Sequence, residues 1–158
     1  MEEKLVEEYI GENAEKIMNS KTNWSAAILG EAIGPVWFFY RKSYLIGFLF
    51  IFITYIVGRI ANALNIKEAY HIMFFIYLFT ANKLYLWDVK RKINNIKLNN
   101  GTISEDEIAE LVRKKGGTNI VGAIIYTVFI IATIILSVYI SWLAYQTMIE
   151  TLESVYIN

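Results

Sequence analysis

The chain has 158 residues, a formal net charge of zero, 56% hydrophobic residues, 19% charged residues and no cysteine. The missing cysteines exclude disulfides, thiol catalysis and cysteine-ligated metals, and the neutral balance gives no electrostatic footprint for nucleic acid. Apolar residues are gathered into long blocks with the charges between them, which is the pattern of a membrane protein.

The first stretch, MEEKLVEEYIGENAEK, is acidic and has no apolar core, so it does not read as a cleavable signal peptide. No lipidation motif accompanies it. Membrane insertion is therefore expected to use internal segments. Within residues 1–22, positions 4–19 predict an amphipathic helix, with Val6, Tyr9, Ile10, Asn13 and Ile17 on one face and glutamates opposite. Gly11 weakens that helix by about 1 kcal/mol relative to alanine.

Residues 23–42 include the run NWSAAILGEAIGPVWFFYRK, apolar enough for a membrane but interrupted by Glu31 and by the only proline, Pro35. As a full span it would place Glu31 near mid-bilayer, at about 2.5–3.5 kcal/mol, and Pro35 would break its hydrogen-bond ladder. It would also have to reverse within Arg41-Lys42. An interfacial or shallowly re-entrant segment avoids these costs. Trp24, Trp37, Phe38, Phe39 and Tyr40 then lie at headgroup level, Asn23 caps the first turn, and Arg41 and Lys42 meet anionic headgroups. If Glu31 dips below the interface, it could pair with Arg41, Lys42 or Lys83.

A transmembrane hairpin is expected over 43–87. Its first span, 43–64, has 16 uncharged residues before Arg59, about 24 Å of helix, and Arg59 can snorkel to the interface. The second, 69–87, ends with Lys83 snorkelling. Residues 88–117 predict a polar helical hairpin outside the membrane. Val89, Ile93 and Ile96 continue the second span outward. Ser104 and Glu107 have capping-box spacing, and Gly116-Gly117 provides the stop. The third span occupies 118–149. The charge-free run from Gly116 to Ile149 is 34 residues, about 50 Å as a helix, so it must tilt or protrude. Thr133, Ser137 and Ser141 form a small-residue ridge suited to close helix packing. Residues 150–158 form a tail.

Basic residues set the threading. The 83–115 segment holds Lys83, Lys90, Arg91, Lys92, Lys97, Arg113, Lys114 and Lys115, whereas the 59–68 connection holds Arg59 and Lys67. The expectation is an all-α integral membrane protein of the cytoplasmic (inner) membrane. Three transmembrane helices follow the amphipathic helix and the aromatic segment, with the N-terminus cytoplasmic and the C-terminus external.

Asn23, Trp24, Ala26, Gly34, Pro35, Trp37, Tyr40, Arg41, Lys42 and Tyr44 carry a pattern that resembles a bacterial family of small membrane proteins, domain-of-unknown-function family 2628. YIGENAEKI, ANKLYLWDVKRKI and GGTN are similar to its other elements, so the resemblance covers about residues 9–119. Ser43 stands where a methionine is usual. The resemblance implies a membrane protein and supplies no activity.

Catalytic chemistry finds little to work with. His71 is the only histidine, a poor metal site alone, and both aspartates, Asp88 and Asp106, belong to the opposite membrane face from it. No cofactor is expected. Glu31, Asn62, His71, Asn82 and Lys83 are the intramembrane polar candidates. Trp24, Trp37, Tyr40, Arg41, Lys42, Lys90, Arg91, Lys92, Arg113, Lys114 and Lys115 are candidates for contact with anionic lipid or a partner. The leading expectation is a non-enzymatic scaffold or accessory subunit with a basic cytoplasmic face, bound to the bilayer and to a protein partner or further copies of itself. The alternative is a small oligomeric channel or transport component. No nucleic-acid partner is expected.

Overall fold

A computed structural model describes residues 2–66, 69–101 and 103–157, all of whose regular elements are helices. Lys67, counted above with the 59–68 connection, lies outside the described residues. The chain forms two compact units, Met1–Ala123 and Ile124–Asn158.

The first unit begins with α1 (Glu2–Ile10) and α2 (Ala14–Asn19). The single amphipathic helix expected over 4–19 is thus broken. Gly11 and Asn13 both take left-handed φ, 69° each, which ends one helix and starts the next. Val6, Tyr9, Ile10 and Ile17 are buried as their spacing predicts, while Asn13 is exposed in the break.

Next come α3 (Trp24–Ile33) and the short α4 (Val36–Tyr40). Asn23 caps α3 by accepting from the Ala26 N–H at 2.8 Å. Gly34, at φ 76° and ψ −154°, turns the chain between the two helices in a conformation that glycine tolerates and other residues do not. Pro35 stands at the N-cap of α4, where its missing N–H costs nothing.

The long helices are α5 (Tyr44–Ala63) and α6 (Ala69–Asn99). The α3 helix runs antiparallel to α6. At its start the Asn23 N–H donates to the Leu78 carbonyl at 2.8 Å, and near its end Glu31 reaches His71. Gly30 faces the Tyr77 ring so closely that an added Cβ would lie 2.5 Å from it. The Gly30–Gly34 spacing therefore serves a helix contact and a turn within one chain. The core fills the space between these helices: Phe38, Phe50 and Tyr77 stack in sequence, with centroids 5.0 and 4.6 Å apart. Trp37 meets Tyr85 edge-on at 5.4 Å.

The polar end of α6 carries Val89, Ile93 and Ile96 as a buried stripe against α1 and α7 (Glu105–Lys115). The capping box is formed: the Glu107 carboxylate accepts from the Ser104 N–H at 2.9 Å, and Ser104 Oγ accepts from the Glu107 N–H at 3.4 Å. The Ser104 N–H and hydroxyl, both donating to the Glu107 carboxylate, lower its pKa from the ordinary value. Gly116 abuts the Tyr9 backbone with no room for a Cβ, and the Gly117 N–H donates to the Tyr9 carbonyl at 2.7 Å.

The second unit consists of the greater part of α8 (Ile120–Ile157). Its Thr133 and Ser137 hydroxyls donate to the carbonyls four residues back, at 2.8 and 2.9 Å. Three helical stretches are long and apolar enough to cross a membrane: Tyr44–Ala63, His71–Asn99 and Glu105–Leu152, the last including the apolar run of α8.

Candidate functional site around the buried Asp88

Asp88 lies on α6 just past its apolar run, where a carboxylate is expected to be solvated, yet it is completely buried. Three donors converge on it. Arg91 Nη2 and Lys92 Nζ each lie 2.7 Å from one of its oxygens, and the Ser43 hydroxyl donates to Oδ2. The two cations come from positions i+3 and i+4, which helical geometry brings to the same face as Asp88. Ser43 precedes α5 and comes from 45 residues away, so it ties the aromatic segment to α6. Lys92 also donates to the Lys42 carbonyl at 2.7 Å.

Lys42 has a left-handed φ of 58°, which turns the chain from α4 into α5. Its ammonium donates to the Gly116 carbonyl and, at 3.4 Å, to that of Lys115. Asn119 extends the same seam: its N–H meets the Tyr40 carbonyl and its Nδ2 meets the Tyr44 hydroxyl, both at 2.7 Å. The aromatic segment, the polar end of α6 and the Gly116-Gly117 turn are thus fastened at one place. Tyr9 is packed into this junction. Burial raises its pKa, and the nearby Tyr85, Asp88 and Tyr44 raise it further.

A second polar cluster lies along α6 from Asp88. Asn23 Nδ2 donates to Asn82 Oδ1 at 2.7 Å, and Asn82 Nδ2 donates to the carbonyls of Ser20 and Thr22 at 3.1 and 3.3 Å. Both asparagines are buried. Between the clusters lies Arg41, only 7% exposed, with Trp37 and Tyr40 beside its guanidinium.

The candidates separate into those this junction gathers and those it does not. Arg41, Lys42, Arg91, Lys92, Trp37, Tyr40 and Asn82 belong to it or border it. Trp37 is buried rather than presented at a surface, because its indole fills the space beside Tyr85. Trp24 is 60% exposed with its edge against Phe74. Lys90 is exposed and makes only a loose ion pair with Glu2 at 3.9 Å. Arg113, Lys114 and Lys115 form the exposed last turn of α7, and Asn62 and Lys83 are exposed as well.

Glu31 requires a correction. It was expected to pair with Arg41, Lys42 or Lys83, but it meets His71 Nδ1 at 3.0 Å. The reason is the direction of α3, which carries Glu31 toward the start of α6 and away from those cations. The 17 residues from His71 to Asp88 correspond to about 25 Å of helix. Among the described residues no group of three or more His, Asp or Glu side chains could hold a metal ion.

Asp88 and Ser43 are the junction residues that the sequence did not single out. The Asp88, Arg91, Lys92 spacing was visible, but such triplets are ordinarily solvated. Only the position of Ser43, set by the fold, distinguishes this one.

No curated protein and no solved structure matches the chain. A family model does, over residues 3–91, from the start of α1 through Asp88 and Arg91. The Gly116-Gly117-Thr118-Asn119 turn lies outside that match. Since more than half of the chain is matched, the protein belongs to the family described as Protein of unknown function (DUF2628).

Proposed function

We propose that the protein is a non-enzymatic membrane scaffold or accessory subunit with three transmembrane helices, its basic face on the cytoplasmic side. In this reading α5, the apolar part of α6 and α8 span the bilayer. The α3–α4 pair forms a re-entrant helical hairpin that enters and leaves from the cytoplasmic side. The large apolar side chains exposed along α5 and α6, among them Phe48, Phe52, Tyr55, Phe75 and Phe79, suit a lipid environment. Short-loop basic residues favour a cytoplasmic 83–115 segment and an external C-terminus.

The observation that carries the scaffold reading is the junction itself. One carboxylate, Asp88, pairs with Arg91 and Lys92, while Arg41 and Lys42, just before Ser43, have no carboxylate partner among the described ion pairs, which leaves positive charge in excess on a tightly fastened framework. The exposed Arg113, Lys114 and Lys115 add to it at the end of α7. Such a surface favours anionic headgroups or an acidic partner, with about 1 kcal/mol per basic residue near an anionic membrane.

Replacing Arg113, Lys114 and Lys115 by glutamine separates binding from threading. Lys83, Lys90, Arg91, Lys92 and Lys97 remain to fix the topology. Retention on anionic vesicles, or of a partner co-purified from native membrane and identified by mass spectrometry, should fall and become more salt-sensitive while topology stays unchanged. Unchanged retention with intact topology would count against a basic docking face.

A further inference from the structure

A cavity of about 220 Å³ lies between α2, the start of α3 and α6. Lys16, Asn23, Trp24, Arg41 and Asn82 line it, and no carboxylate does among the described residues. The asparagines are already committed to each other and to backbone carbonyls, so they fix the wall.

Arg41 is the residue that packing alone does not account for. It is nine-tenths buried, and none of the ion pairs among the described residues involves it. Its Nη1 reaches the Ile10 carbonyl only at 3.5 Å, the Tyr85 hydroxyl beside it is a neutral neighbour, and its Nε meets no acceptor. The rings of Trp37 and Tyr40, 5.9 and 5.8 Å from the central carbon, offset part of the desolvation cost but accept none of the guanidinium's in-plane hydrogen bonds. Arg91, by contrast, shares Asp88 with Lys92. A buried guanidinium with unmet donors is costly until an anion joins it.

The other features of the cavity favour the same ligand. Asn23 and Trp24 mark the N-terminus of the ten-residue α3, where Asn23 takes the Ala26 N–H, the Trp24 and Ser25 N–H groups have no partner inside the helix, and the dipole favours negative charge. Lys16 adds an exposed ammonium to the lining.

We propose that this cavity binds a phosphate group, with Arg41 and Lys16 supplying charge and the start of α3 supplying N–H donors. A free phosphate and the headgroup of an anionic phospholipid present the same chemistry. Only the lipid source rests on the membrane reading above.

The test uses the full chain in neutral detergent, titrated with inorganic phosphate against chloride at matched ionic strength, with tryptophan fluorescence and calorimetry as readouts. In parallel, the chain in nanodiscs of phosphatidylcholine is compared with nanodiscs to which phosphatidic acid has been added. Saturable one-to-one binding is expected in at least one arm. It should weaken about tenfold or more in Lys16→Gln and disappear in Arg41→Gln, and it should persist in Lys4→Gln, which is exposed and outside the cavity. Lys16 is exposed, so its variant decides the matter even if Arg41→Gln does not fold. Binding of inorganic phosphate identifies a soluble ligand, and binding of phosphatidic acid alone identifies a headgroup. No binding in either arm, or binding that Lys16→Gln leaves intact, overturns the proposal. Neither arm depends on which membrane face the cavity occupies, so failure here and failure of the proposed threading are distinguishable.

Discussion

Asp88 is worth more to the fold than a count of its ion pairs suggests, because its burial makes both cations depend on it. Removing one partner of a buried pair costs about 3–5 kcal/mol. Here Arg91 and Lys92 are 41% and 26% exposed and can turn toward water. Asp88→Asn should therefore destabilise by about 1–3 kcal/mol, and thermal unfolding in detergent would measure it. Ser43→Ala, which removes one neutral donor, should cost less, about 1 kcal/mol. Tyr9 supplies a pH dependence at the same junction. Its pKa is raised above the ordinary 10.0, chiefly by burial. Below pH 10 it is neutral both folded and unfolded, and its contribution is complete. As pH rises above 10 the unfolded chain loses the proton first, so stability should fall with pH there. Tyr9→Phe should flatten that alkaline loss in a melting series. At this scale the sequence revealed the local chemistry and not the distant partner. The Asn23 cap and the Ser104–Glu107 box follow from neighbours three residues apart. The Asp88–Ser43 and Glu31–His71 contacts join residues 45 and 40 apart, and only the path of α3 brings them together.

Among the elements, the turn between α3 and α4 makes the sharpest demand on the chain. The backbone of Gly34 is left-handed in φ and extended in ψ, a region essentially closed to residues with a Cβ. Gly34→Ala should cost about 1–3 kcal/mol. Pro35 interrupts no ladder at the start of a five-residue helix, so Pro35→Ala should cost less than about 1 kcal/mol. Chemical denaturation of the two variants in one detergent would compare them directly. A large gain in stability from Pro35→Ala would instead indicate one continuous kinked helix. The long helices α5, α6 and α8 were legible because uninterrupted apolar runs dictate them. The break between α1 and α2 was not, since Gly11 alone costs only about 1 kcal/mol in a helix. It took a second left-handed residue, Asn13, to part the two helices.

At the scale of the whole molecule, the account joins two patterns that arise independently. One is the arrangement of basic residues, which the sequence carries openly and which predicts a threading. The other is the course of the chain within the first unit, in which α1, α2, the start of α3 and α7 gather toward the later part of α6, while the far end of α3 reaches His71. The re-entrant α3–α4 hairpin proposed above would reconcile them, with both of its ends on the basic side and no fourth span. The aromatic composition of residues 23–42 could not distinguish a surface segment from such a hairpin, because both place tryptophan and phenylalanine beside lipid. The antiparallel contact of α3 with α6 is what supports the hairpin in the proposed reading. Single cysteines test the threading most directly, since the chain has none of its own. They would be introduced at Lys21, Asn65, Asn100 and Glu150 and probed in intact cells with a membrane-impermeant maleimide. The account predicts labelling at Asn65 and Glu150 and none at Lys21 or Asn100 until the cells are opened. Labelling at Lys21 from outside would contradict it, because the aromatic segment would then cross the bilayer completely.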